Sequence, residues 1–214
     1  MKKLTRPETP ECLNQLIAGR DNWRLANKNE LWHALNEMQH GFCAYCECRL
    51  NRKHIEHFRT RNGYVNLTFN WTNLFGSCGD TSQKGGWARC GIYKDNGAGG
   101  YNPENLIKPD EEDPSAFLHF FTTGAVRPRV GLTADEHFKA TETLRVFNLN
   151  GDPVLFGSRR QAINAELQEI EDFYKLEGQL SAEDWDAFLQ DALSRVNILE
   201  FSTALTHAWN YNKK

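Results

Sequence analysis

The sequence predicts an α+β protein in which a small strand-and-loop unit, about residues 42–100, is embedded in a largely helical domain. Three observations carry this. Residues 42–100 hold nine of the sixteen glycines, five of the six cysteines and no proline, a composition for turns and short strands rather than helices. From Thr133 onward, apolar residues recur at helical spacing behind capping residues. Charge divides the same way: residues 43–95 carry eight basic against four acidic side chains, and residues 100–200 carry nine against nineteen.

The elements follow in order. Residues 1–41 form an arm and a helix, read over 29–40 with Asn29 as its cap, Leu31, Leu35 and Met38 on one face and Gly41 as its stop. Asn96-Gly97-Ala98-Gly99-Gly100 is the exit from the cysteine-rich unit. Residues 101–214 then form a hairpin and a helical scaffold or docking region. Phe117–Thr122 and Ala125–Val126 pair across Gly124. Thr133 with Glu136 caps a helix striped by Phe138, Thr141, Leu144 and Phe147. Ser158 with Gln161 opens another through Ile163, Leu167, Ile170 and Tyr174, closed by Gly178. Ser181 caps a third, with Trp185, Phe188, Ala192, Val196 and Leu199 on one side. These stripes are core material and carry no catalytic pattern.

Composition excludes several functions. The 214-residue chain is 40% hydrophobic and carries a net charge of -3, so it is no uniformly basic nucleic-acid binder. No apolar run approaches the ~20 residues that span a bilayer. Met1–Pro10 is polar and lacks a signal-peptide core, so the expected compartment is the cytosol. Disulfides are rare there, and six cysteines then point first to metal.

Cys43-Ala44-Tyr45-Cys46 is a C-x2-C knuckle, whose two thiolates can face one tetrahedral Zn2+ while the backbone between them turns. Its partners are Cys78 and Cys90, a wide C-x11-C pair, with Cys48 near enough to compete as a ligand. A structural zinc suits a segment with few apolar residues to hold it together. Between the pairs lies His54-Ile55-Glu56-His57-Phe58. Strand alternation puts His54 and Glu56 on one face and His57 on the other, unless a bulge or strand end unites Glu56 and His57. Phosphodiester hydrolysis needs a base for water and a cation on the phosphate; a neutral histidine suits the first and a carboxylate the second, as a ligand of Mg2+ or Mn2+. Trp71-Thr72-Asn73-Leu74-Phe75 precedes Cys78 directly.

The order C-x2-C, H-x-E-H, N-L, C…C resembles the HNH family in its zinc-knuckle form. The resemblance implies a ββα-metal unit with His57 as general base, Glu56 as a ligand of the catalytic divalent ion and Asn73 holding the loop and the base. The family usually has His or Asn directly after the last cysteine and Lys three further on. Here Gly91 follows Cys90 while Lys94 keeps its place, so the third position is not readable by matching. Asp95 is the preferred substitute metal ligand, with Asp80 behind it.

His54–Phe58, Asn73–Cys78 and the stretch Leu144–Arg160 further resemble the PtuB family of HNH nucleases from Septu and retron-associated anti-phage systems, over roughly residues 40–165. That resemblance implies the toxic effector of a defence complex. Its partner would be a PtuA-like ABC-type ATPase, joined in retron versions by a reverse transcriptase with its RNA–DNA product. The alternative is a catalytically inactive, zinc-organised binding module. Phosphate contacts carry no sequence information, so DNA and structured RNA such as tRNA both remain substrates.

Overall fold

The computed structural model describes residues 1–79 and 88–211; Asp80 and Lys84 lie outside them. Six helices and two small antiparallel sheets make a mixed α+β, largely helical architecture among these residues.

Helix α1, Lys28–Gln39, is capped by Asn27, whose side chain accepts from the backbone of Asn29 and Glu30. The cap therefore lies two residues before the expected Asn29. His40 adopts the left-handed conformation that ends the helix. Strands β1, Lys53–His57, and β2, Leu74–Cys78, pair antiparallel, with Lys53 opposite Cys78 and His57 opposite Leu74. The buried Gln39 amide serves the outer edge of β2: its Nε2 donates to Gly76 O (2.8 Å) and its Oε1 accepts from Gly76 N (2.7 Å). Together with Ala44 N, which also donates to Gly76 O (3.1 Å), it satisfies the sheet edge inside the core. Helix α2, Cys90–Asn96, follows.

The hairpin is β3, Leu118–Phe120, with β4, Val126–Pro128. Gly124, at φ +90, makes its turn so close to Phe156 that a side chain there would strike that residue's carbonyl. Helix α3, Ala134–Val146, carries the Thr133–Glu136 capping box. Its buried face is Ala140, Thr143 and Val146, while Phe138 is exposed. The expected stripe is therefore met at its end, where Phe147 is buried and Leu144 packs on the core, and not at Phe138 or Thr141. Thr143 Oγ1 accepts from Ile107 N, so a polar residue is tolerated in the interior by pairing with the incoming loop.

Helix α4, Pro153–Lys175, begins five residues before Ser158. Asp152 is its cap and Pro153 opens it, a pairing that needs no donor from the first residue. Helix α5, Ala182–Val196, starts at the Ser181 cap; it buries Ala192 and Val196 and leaves Phe188 exposed. Helix α6, Ser202–Tyr211, was not evident from the sequence and packs on α4 and α5. Trp209 of α6 and Trp185 of α5 meet Phe173 of α4, at centroid distances of 5.8 and 3.9 Å.

Tyr45 stacks on Phe147 (4.0 Å) and also meets Phe75, so the cysteine-rich stretch and the helical region share one core. Buried Arg159 ties the hairpin to α4, donating to Gly124 O and Leu149 O. No helix among the described residues is long and apolar enough to cross a membrane.

Candidate metal centre and active site

The knuckle turns sharply because Glu47 takes a positive φ of 64, and Cys43 N bonds back to Cys48 O. The turn brings Cys43 and Cys46 together, and the end of β2 supplies Cys78. Cys90 arrives across the wide gap because its backbone N–H is anchored on Phe147 O (2.8 Å) at the end of α3. All four are buried, with ligand atoms within 4.8 Å of one another. Cys46 and Cys78 stand 3.6 Å apart, sulfur to sulfur. Zn–S bonds of about 2.3 Å at tetrahedral angles put sulfurs about 3.8 Å apart, so the cluster has the size of a zinc site.

Its electrostatics agree with that size. Burial pushes the Cys90 thiol up, and bonding to neighbouring sulfurs raises Cys78, while Cys46 falls to about 5 because other thiols donate to it against the cost of burial. Without a cation the cluster tolerates little thiolate charge; a dication removes that limit. Cys48 lies 3.3 Å from Cys46 but is only partly buried and stands outside the set. Cys12 lies elsewhere, against Asn27 O.

Beside the cluster, β1 delivers His54, Glu56 and His57 to one cleft of ≈ 430 Å³, whose other walls include Arg61, Ile92 and Asp95. The strand ends at His57, so strict alternation does not keep Glu56 and His57 apart. A larger cavity of ≈ 650 Å³ lies between the N-terminal segment and the knuckle and contains none of these residues.

His57 is buried, and its Nε2 lies 3.0 Å from Thr68 O. A carbonyl can only accept, so the Nε2 carries the proton and Nδ1 keeps its lone pair. Burial, assisted by the Arg61 charge, lowers His57 to about 4, so it is neutral at pH 7. The edge of Trp23 packs on its ring at 4.5 Å.

Glu56 is buried between a lysine and a histidine. Lys94 Nζ lies 2.7 Å from its Oε1 and His54 Nε2 lies 3.2 Å from its Oε2. Burial opposes ionisation, but these charges outweigh it and hold the carboxyl below its ordinary range. Lys94 also reaches Asp95 Oδ1 (2.6 Å), Tyr101 Oη (3.1 Å) and His57 O (3.2 Å). Burial pulls it down, yet Glu56 and Asp95 leave it raised. Asp95 is shifted up, by burial first and then by Glu56.

Gly91 explains the missing side chain after Cys90. A Cβ there would stand 2.3 Å from Glu56 Oε2 and 2.5 Å from Cδ. Glu56 is locked by its partners and cannot swing aside, so the Glu56 carboxylate fills the space that a residue at position 91 would use.

Asn73 holds the β1–β2 loop. Its Oδ1 accepts from Arg59 N (2.7 Å), and its Nδ2 donates to Arg59 O (2.9 Å) and Leu67 O (3.2 Å). That loop carries Thr68, the acceptor for His57. Asn73→Ala leaves these buried groups unpaired, a loss of about 1–3 kcal/mol. The variant should melt at lower temperature in a thermal scan and, in a turnover assay, lose kcat more than KM.

His54 is the cleft residue that motif matching did not assign a role. Alternation had already put it on the Glu56 face. Its pKa is raised because the Glu56 and Gly79 contacts outweigh burial. Among the described residues, the four cysteines are the group of three or more ligand-type side chains that converges within 4.8 Å; His54, Glu56 and Asp95 are more widely spread.

No protein-family model matches the chain. Among curated proteins it is similar to Septu protein PtuB of Bacillus thuringiensis, 34% identical over 131 residues. The match covers 56% of this chain and 47% of that protein, about half of the relative's length.

Proposed function

We propose that this chain is a metal-dependent HNH-type endonuclease, the nucleic-acid-cutting component of an anti-phage defence complex. One observation carries the proposal: a neutral histidine of defined tautomer and an ionised carboxylate share a cleft beside a cluster of four cysteines. The cluster would hold a structural Zn2+, and β1, β2 and α2 would make the ββα-metal unit.

The cleft also fits a catalytic ion. His54 Nε2 and Glu56 Oε2 are 3.2 Å apart, near the ~3.0 Å expected for adjacent ligands with bonds of about 2.1 Å. They would hold Mg2+ or Mn2+, with Asp95 a further carboxylate in the same cleft, and any proton on His54 would be released on binding. When bound, the ion would neutralise charge on the scissile phosphate. Lys94 keeps Glu56 ionised and braces the His57 carbonyl, so both groups stay in register. His57 Nδ1 takes a proton from the attacking water as its oxygen bonds to phosphorus. The bond from phosphorus to the leaving oxygen breaks, and that oxygen is protonated from solvent. Trp23 packs on the base, and burial with the Arg61 charge keeps it a free base.

The similarity to Septu protein PtuB supports the defence role and a PtuA-like ATPase as partner. The acidic 101–200 region, free of chemistry, is the docking face in this reading. The test is incubation of purified protein with labelled plasmid and bulk tRNA in Mg2+ or Mn2+, with and without that ATPase. Cleavage of either substrate is expected. Intact substrates under every condition, with zinc bound and the ATPase present, would refute the proposal.

A further inference from the structure

The positive charge around the cleft is less available than the sequence implies. Four cations of the 43–95 stretch are ion-paired within the chain: Arg49 with Glu200, Arg59 with Glu104, Arg89 with Asp152 and Lys94 with Glu56. Arg61 differs. It lines the cleft, is exposed, and has no hydrogen bond or ion pair among the described residues.

A second such cation comes from outside that stretch. Lys28, the first residue of α1, is partly buried with its Nζ 3.6 Å from the Trp23 ring centroid. Two backbone carbonyls, Trp23 O (2.6 Å) and Ala26 O (3.2 Å), fix the ammonium in place. Trp23 also packs on His57, so one indole ring links the ammonium to the base. It has no carboxylate partner among the described residues, and it sits at the helix end where a positive charge is disfavoured. Burial first, and then the Arg61 charge, lower Lys28 to about 8. Both groups would gain from one bound anion.

We propose that Lys28 and Arg61 bind a backbone phosphate of the substrate next to the scissile one, in a site built jointly by the N-terminal segment and the β1–β2 loop. The inference rests on the nuclease reading and adds to it how the polymer is held. The Trp23-anchored ammonium is preorganised, and the exposed guanidinium closes on the phosphate from the loop. A phosphodiester backbone is the shared ligand chemistry of DNA and RNA, so the site takes either.

The test uses full-length protein silenced by His57→Ala and measures its affinity for a labelled DNA duplex and a labelled RNA hairpin at several salt concentrations. Lys28→Gln and Arg61→Gln should each reduce the slope of log affinity against log salt by about 1. The double variant should bind roughly tenfold more weakly at low salt. Lys28→Arg, which keeps the charge, should keep the slope; a loss equal to that of Lys28→Gln would overturn the charge assignment. Arg61→Gln alters an exposed, unbonded side chain, so its result does not depend on refolding. Lys175→Gln, at an ion pair on α4, serves as the control and should leave the slope unchanged. Unchanged slopes in Arg61→Gln and the double variant would overturn the proposal; if the native chain still cuts, the nuclease reading stands. A parent protein that neither binds nor cuts would bring down both.

Discussion

His57→Ala should abolish cleavage while leaving zinc content and circular dichroism unchanged. Loss of a positioned general base costs about 10²–10⁴ in rate. The size follows from how the structure sets this ring. Its Nε2 is committed to Thr68 O, its Nδ1 is left free, and burial keeps it unprotonated at pH 7. None of these contacts holds the sheet together, since β1 and β2 pair through backbone bonds. Single-turnover cleavage by the variant and the native chain, at equal zinc content, is the check.

The second large effect is on folding. Cys43→Ser or Cys78→Ser should lose the metal and, with it, most of the soluble protein. Structural zinc contributes roughly 10–16 kcal/mol in small zinc domains at pH 7, whereas a whole domain is stable by only about 5–15 kcal/mol. The loss is therefore comparable with everything that keeps the chain folded. Elemental analysis should find about one zinc per native chain, the stoichiometry of a four-thiolate site, and far less in either variant. Cys48→Ser should keep its zinc, because that sulfur lies outside the cluster of four.

How far this was legible in the sequence depends on the range of each interaction. Cys43, Cys46, Glu56, His57 and Asn73 stand in short motifs whose spacing encodes local geometry; the structure puts the two cysteines in one cluster, Glu56 and His57 in one cleft, and Asn73 in the loop that follows β1. Cys90 was weaker because an eleven-residue gap says nothing local; its place is set by a backbone bond to Phe147, far along the chain. Gly91 looked like a gap in the pattern and is the space that Glu56 occupies. The start of α4 was misplaced because Ser158 and Gln161 mimic a capping box inside a helix that Asp152 and Pro153 had already opened. On α3 the expected stripe holds at its end, where Phe147 is buried, but not at Phe138, and Ala140, Thr143 and Val146 complete the buried face. Nothing in the spacing marks Arg159 as an interior residue; two buried carbonyls hold it. The contribution of Trp23 and Lys28 is tertiary, and no spacing rule reaches from them to His57.

Metal-dependent hydrolysis in the His54–Glu56–His57 cleft is the centre of this account. The most direct test is the single-turnover cleavage rate of the zinc-loaded chain against added Mg2+ or Mn2+, for the native protein and Glu56→Gln. The native rate should be negligible without added ion and saturate as the ion is supplied, and Glu56→Gln should remain near the baseline throughout. Equal cleavage by both proteins, or full native cleavage without the added ion, would contradict it.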